Sequence, residues 1–246
     1  MKPRLFSSDL DGTLVGDPAA TARFRTAFEA LAPEDRPVLV YNSGRLIDDM
    51  LALIPKAGLP EPDFLIGGVG TMLHGLRDSA IDAGFAEQIG SGFDASKIAA
   101  LMGEIPDVHR QPERYQHGLK SSWYLEDADA ARLQAIERQL RSAGLDIKLV
   151  YSSSRDLDVL PRAADKGATL AFLAARLGLD MQSVVVAGDT GNDRAMFEVD
   201  GVRGIIPANG FDELRALAPA GARIYHARAA IADGVIEGLR HFGLPL

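Results

Sequence analysis

The stretch Leu5-Phe6-Ser7-Ser8-Asp9-Leu10-Asp11-Gly12-Thr13-Leu14-Val15 constrains the fold more than any other part of the chain. Its apolar start suits a buried parallel strand, yet the run ends on two carboxylates. In extended backbone, side chains at i and i+2 share a face, so Asp9 and Asp11 are expected to open onto one space at the strand's carboxyl end. Gly12 permits a sharp turn there, and Thr13 adds a hydroxyl beside the space. Asp-Gly is also a common turn pair, and taken alone it could mark a hairpin. Adjoining carboxylates repel unless one keeps a proton or a cation sits between them; Mg²⁺, a hard ion with oxygen ligands, meets that need.

The pattern recurs. Residues 37–41 are apolar, too few for a helix, and end in Asn42-Ser43-Gly44-Arg45. Residues 64–66 empty into Gly67-Gly68-Val69-Gly70-Thr71, glycines that suit backbone passing close to a ligand or a neighbouring strand. Helices are expected at 21–31, where Phe24, Phe28 and Leu31 have helical spacing, and from about 46 to a stop near Pro55 and Gly58. Further on, Asp165-Lys166-Gly167-Ala168 opens a helix carrying Leu170, Leu173 and Leu177. Val184-Val185-Val186-Ala187 reads as a buried strand ending in Gly188-Asp189-Thr190-Gly191-Asn192-Asp193, with strands at 202–206 and 223–225 and a closing helix at 231–242. Strands alternating with helices imply right-handed βαβ units and a parallel sheet.

Between about 77 and 92 the rhythm breaks, and a helix-strand-strand pattern then occurs twice. Asp94 can cap a helix with Ile98, Leu101 and Met102, followed by strands at 108–111 and 119–125. Asp127 or Asp129 can cap another with Leu133, Ile136 and Leu140, followed by strands at 147–151 and 157–160. A small α+β module with an antiparallel sheet follows. The expected organisation is α/β: a parallel-sheet core from residues 1–79 and 162–246, with an α+β domain inserted at 80–161.

With no cysteine, the chain has no disulfides, thiolate chemistry or cysteine-ligated zinc, and its five histidines show no metal-ligand spacing. A formal charge of −8 argues against general nucleic-acid binding. Met1-Lys2-Pro3-Arg4 runs into a strand without a signal-peptide apolar region, and no apolar run reaches membrane-spanning length. A cytoplasmic protein with no membrane or nucleic-acid partner is expected.

Four polar islands, at Asp9/Asp11, Ser43, Lys166 and Asp189/Asp193, fall where open parallel sheets bind ligands. Ser43-Gly44 could be a simple turn, and the Asp189 to Asp193 loop could be cap chemistry. Lys166 is more telling, because a lysine in a helix's first turn opposes the macrodipole. An anion to be met explains it, with solvent exposure as the alternative. Asp9 and Asp189, with Asp193 as a further candidate, gather charge that would hold Mg²⁺, while Ser43 and Lys166 offer donors to an anion. Metal, carboxylate nucleophile and anion donors describe phosphoryl transfer through an aspartyl-phosphate. Asp11 is then placed to protonate the leaving alcohol and later take a proton from water.

Asp9-Leu10-Asp11-Gly12-Thr13, Ser43-Gly44-Arg45, Lys166-Gly167 and Gly188-Asp189-Thr190-Gly191-Asn192-Asp193 resemble, in order, the four motifs of the haloacid dehalogenase (HAD) superfamily. The insert between the second and third motifs is similar to the type-2 cap of Cof-like sugar phosphatases. Val69-Gly70-Thr71, Gln111-Pro112-Glu113, Leu119-Lys120-Ser121-Ser122, Asp158-Val159-Leu160-Pro161 and Ile236-Glu237-Gly238-Leu239 resemble segments of the sucrose-phosphatase and mannosylfructose-phosphate phosphatase group. The resemblance implies a Rossmann-like core and a catalytic pair of Asp9, as nucleophile, and Asp11, as acid/base. It implies Mg²⁺ on Asp9, the Asp11 backbone carbonyl and Asp189, with Asp193 supporting. The family often has threonine where this chain has Ser43, and the hydroxyl is kept.

Candidate substrate-binding residues are therefore Ser43, Gly44, Arg45, Lys166 and Asn192, joined from the insert by Gln111 and Lys120. Of the neighbouring Trp123 and Tyr124, one is expected to belong to the insert's core. The expected activity is Mg²⁺-dependent hydrolysis of a disaccharide phosphate, sucrose 6-phosphate or mannosylfructose phosphate. Alternatives are a broader hexose or glyceryl-sugar phosphatase and a catalytically silent sugar-phosphate-binding module. The expected protein is a monomer, with the glycosyltransferase that makes its substrate as a candidate partner.

Overall fold

The computed structural model describes residues 1–246 apart from Ser79, Ser91 and residues 218–220, with the backbone alone of Leu217. Ser79, where the first expected segment ends, lies outside the described residues. The chain runs β1 (Leu5–Ser8), α1 (Pro18–Glu29), β2 (Val38–Asn42), α2 (Ile47–Ala57), β3 (Phe64–Gly67), β4 (Met72–Gly75), α3 (Phe85–Gly90) and α4 (Ala95–Gly103). Next come β5 (His109–Arg110), β6 (Ser121–Tyr124), α5 (Ala130–Ser142), β7 (Ile147–Ser152) and β8 (Asp156–Pro161). The last part is α6 (Lys166–Arg176), β9 (Val184–Ala187), α7 (Arg194–Glu198), β10 (Arg203–Ile206), α8 (Asp212–Leu217), β11 (Ile224–His226) and α9 (Ile231–His241).

Seven strands form one sheet in the order β11-β10-β9-β1-β2-β3-β4, parallel except for β4 against β3. The central strands are apolar throughout because both sheet faces are covered, and alternation sorts their side chains between two layers. Phe6, Leu39, Tyr41 and Val185 join Phe24 and Phe28 of α1 and Val235 and Leu239 of α9. Leu5, Val40, Val184 and Val186 join Leu170 and Leu173 of α6 on the other face, where Ile81, Phe85 and Ile89 also pack.

The second sheet is antiparallel, in the order β5-β6-β8-β7. It packs one face on α4 and α5 through its own apolar cluster, which includes Ile98, Met102, Trp123, Ile136, Leu157 and Val159. The opposite face of β6 and β8 carries Ser122, Tyr124, Asp156 and Asp158, with Ser122 paired to Asp158 and Tyr124 to Asp156.

The α/β class and the inserted α+β pattern match expectation. β4, α3, α7 and α8 have no counterpart among the elements expected from sequence. Each spans four to six residues, too short for a periodic pattern to develop. Pro55 lies inside α2 rather than ending it, since its missing amide removes one bond from the final turn; Gly58, at φ 70°, closes the helix.

Phe24 has no exposure, and its ring centroid lies 6.2 Å from that of Phe6 and 5.6 Å from that of Phe28. Phe24→Ala should lower unfolding free energy by about 3–5 kcal/mol, read as a reduced urea midpoint at unchanged slope. A loss below about 1 kcal/mol would show that this layer is not packed as described.

Candidate active site

β2 lies on one side of β1 and β9 on the other, so the strand order reverses at the carboxyl end of β1. Asp9 emerges there, and Lys166, at the start of α6, reaches it from the side. Lys166 Nζ donates to Asp9 Oδ1 at 2.7 Å, Asp193 Oδ1 at 2.6 Å and Asn192 Oδ1 at 3.0 Å. Lys166 has no exposure, which removes solvation as the reason for a lysine in that first turn. Asp165 caps α6 by accepting from Ala168 N at 2.6 Å, and Asn42 Nδ2 donates to the Lys166 carbonyl at 2.9 Å. The backbone that presents the ammonium is thereby fixed.

Carboxylate oxygens of Asp9, Asp189 and Asp193 lie within 4.8 Å of one another, and all three residues are buried. Asp193 is used up internally: Oδ1 accepts from Lys166, and Oδ2 accepts from Asp189 N at 2.9 Å and Thr190 N at 3.1 Å. Asp9 and Asp189 each have Oδ1 engaged, the latter by Thr13 Oγ1 at 3.0 Å, which leaves each an Oδ2. Asp189 Oδ2 rests against Gly12: a Cβ built there would lie 2.2 Å away, and Gly12 also has φ +81°. Only glycine fits this turn.

Three carboxylates face one ammonium, so negative charge is in surplus. Burial, with Asp193 next, pushes Asp189 up to about 7. Burial also raises Asp9, against the pull of Lys166. For Lys166, burial alone would lower the value, but Asp193 and Asp9 outweigh it and the ammonium is held protonated. A hard divalent cation suits this all-oxygen set, since it would relieve that surplus.

Asp11 does not join the cluster. It points outward, half-exposed, and Arg45 holds it bidentately, Nε to Oδ2 at 2.6 Å and Nη2 to Oδ1 at 2.8 Å. Asp9, Asp11, Ser43, Gly44, Arg45 and Asn192 nevertheless border one cavity of about 330 Å³, which Gln111 and Lys120 of the insert close from above. The site therefore brings together every expected residue, with Lys166, Asp189 and Asp193 forming the layer beneath.

Residues 2–243 match the family model described as sucrose-6F-phosphate phosphohydrolase. The chain belongs to the sucrose-6F-phosphate phosphohydrolase family. It is 58% identical over 245 residues to the mannosylfructose-phosphate phosphatase of Agrobacterium fabrum (strain C58 / ATCC 33970), covering 99% of both chains. It is 31% identical to probable sucrose-phosphatase 2 of Arabidopsis thaliana over 98% of its own length, but spans 60% of that protein. Among solved structures, the Synechocystis sucrose-phosphatase in complex with sucrose and phosphate superposes with a TM-score of 0.90 at 26% identity, covering 100% of both chains. A subclass IIB sugar phosphatase of the HAD superfamily shares the fold, with a TM-score of 0.67 at 15% identity over 98% of this chain and 99% of the other.

In this member of the phosphohydrolase family the insert's wall of the cavity is more polar than expected. Tyr115, Tyr124, Arg155, Asp156 and Asp158 line it as well. Trp123, 2% exposed, is the core aromatic of the pair, and Tyr124 faces the cavity. Strand alternation carries the signal: Ser122 and Tyr124 share a face, as do Asp156 and Asp158. Lys120 is buried and uses its donors within the insert, on Asp158 Oδ1 at 3.0 Å, on the Tyr115 carbonyl at 3.2 Å and on Ser122 Oγ. Gln111 Nε2 donates to the Trp123 carbonyl at 3.1 Å and Asp156 Oδ1 at 3.0 Å.

The Asp189 shift has a consequence for stability. A carboxyl that binds its proton more tightly when folded favours folding at low pH, and that contribution is lost as pH rises from about 3.8 to about 7. In metal-free protein, the stability of wild type relative to Asp189→Asn should therefore fall between pH 5 and 7 and level off above. Paired melts in EDTA that track each other across this range would contradict it.

Proposed function

We propose that the chain hydrolyses the phosphate ester of a disaccharide phosphate, mannosylfructose phosphate first and sucrose 6-phosphate second. The observation that carries this reading is the Lys166 ammonium bound to Asp9 at 2.7 Å on the floor of a cavity that the insert roofs. The 58% identity with a mannosylfructose-phosphate phosphatase favours that substrate.

In the proposed reaction, the substrate phosphate lies against Lys166, the Ser43 hydroxyl and the Gly44 amide, with Asn192 beside them. Asp9 Oδ2 attacks phosphorus as the bond to the sugar oxygen breaks, and Asp11 gives its proton to the leaving alcohol. A water, deprotonated by Asp11, then attacks phosphorus, so that inorganic phosphate leaves and the Asp9 carboxylate is restored. Arg45, which holds both oxygens of the ionised Asp11, frees one of them when Asp11 carries the proton. Mg²⁺ on Asp9, the Asp11 carbonyl and Asp189, with Asp193 as framework, would offset charge on the transferring group.

The insert at 80–161 is proposed as the cap. Ile81, Phe85 and Ile89 pack with Leu170 beneath the main sheet, which favours a cap that starts after α3. Because Lys120 bonds within the cap, we assign it to shaping the cavity wall, with sugar hydroxyls meeting Gln111, Tyr124 and Asp156.

Phosphate release from mannosylfructose phosphate, sucrose 6-phosphate and simple hexose phosphates, with and without EDTA, tests the reading. Turnover of the disaccharide phosphates that EDTA abolishes is expected. Preference for hexose phosphates would favour a broad phosphatase, and no release from any would favour a silent binding module. Asp9→Asn should lower kcat on the order of a thousandfold or more in protein that still unfolds cooperatively, since the amide is a poor nucleophile. Lys120→Met should reduce kcat/KM about tenfold for the disaccharide phosphate while p-nitrophenyl phosphate, which has no sugar, changes less than about twofold. Equal losses on both substrates would remove the cap from selectivity.

A further inference from the structure

The loop between β10 and α8 contacts both carboxylate-bearing loops without contributing to the cavity. Asn209 Nδ2 donates to the Gly12 carbonyl at 2.7 Å, and its Oδ1 accepts from Ile231 N at 2.7 Å at the start of α9. Phe211 N donates to the Asp189 carbonyl at 2.8 Å. Gly191 N donates to Glu213 Oε1 at 2.9 Å. The loop is itself braced, since Arg215 donates to the Gly210 carbonyl at 3.0 Å and the Pro207 carbonyl at 2.6 Å, and Leu214 is buried against Ile206.

We propose that Glu213 is a positioning residue for the Asp189 loop. The amides of Asp189 and Thr190 are taken by Asp193 Oδ2, and the next amide, Gly191, is taken by Glu213. Three successive N–H groups are thus fixed by two carboxylates, which sets the direction in which the Asp189 side chain leaves the backbone. The contact is tight. A Cβ built on Gly191 would lie 2.9 Å from Glu213 Oε1 and 3.0 Å from the Tyr151 carbonyl oxygen of the cap. Glu213 needs only to accept a hydrogen bond here; its charge adds to a region already rich in carboxylates. The role therefore belongs to the acceptor oxygen, and glutamine can supply it.

This inference rests on the proposed divalent-cation site and is tested by calorimetric titration of Mg²⁺ into metal-free protein, with melts in EDTA and in Mg²⁺. Glu213→Met keeps the side-chain stem but accepts nothing. It should weaken Mg²⁺ binding about tenfold and shrink the Mg²⁺-induced rise in Tm more than it lowers the metal-free Tm. Glu213→Gln should restore affinity to within about twofold of wild type. Unchanged affinity in Glu213→Met would overturn the proposal, and so would equal weakening in both variants, which would make charge the cause. A drop in metal-free Tm with the Mg²⁺ increment intact would reduce Glu213 to fold support and overturn it too. Asp189→Ala serves as control: if it binds Mg²⁺ like wild type, the metal site itself is misassigned, whatever Glu213 does.

Discussion

A fully buried ammonium holds the two halves of the main sheet's site together. Lys166 Nζ lies 2.7 Å from Asp9, at the end of the first strand, and 2.6 Å from Asp193, in the loop after β9. Removing one partner from such a pair costs on the order of 3–5 kcal/mol, because the other charge stays buried and uncompensated. The surrounding structure follows from this. Asp165 caps the helix that presents the lysine, Asn42 pins its carbonyl, and Gly12 and Gly188 leave room for Asp189 and Asp193 where any Cβ would collide.

The surplus of carboxylates over ammonium connects stability to chemistry. Metal-free, the cluster is strained electrostatically, with Asp189 pushed up to about 7 by burial and by Asp193. Asp11 escapes that field by turning outward to Arg45, so two aspartates separated by one residue occupy different environments. One, the proposed nucleophile, is buried against a lysine. The other, the proposed acid/base, is half-exposed at the cavity. The cap sheet supplies the remaining wall through the polar face of β6 and β8, while Trp123 on the opposite face anchors its own core.

The main sheet and the four islands were legible because each rests on local chemistry. Apolar runs bounded by glycine and carboxylates dictate buried strands with polar ends, and a lysine in a helix's first turn asks for an anion. Gln111 and Lys120 were expected at the cavity and border it, but the bonds of Lys120 to Asp158, Ser122 and Tyr115 were not legible, since they depend on strand register across the insert. Tyr115 lies in a single 3-10 turn of helix and Arg155 in the β7–β8 turn, both too short for a periodic pattern. The Arg45–Asp11 pair and the Glu213–Gly191 contact join residues 34 and 22 positions apart, distances over which sequence alone specifies no geometry. Short elements such as β4 and α8 were missed for lack of length.

The central claim is that Asp9 takes the phosphoryl group. Rapid acid quench of the enzyme during turnover of a disaccharide phosphate, followed by peptide mass spectrometry, tests it directly. The account predicts the mass of one phosphoryl group on the peptide carrying Asp9, lost on treatment with hydroxylamine and absent from Asp9→Asn. A phosphoryl group on a different residue, or a phosphate burst with no acyl-phosphate on that peptide, would contradict it.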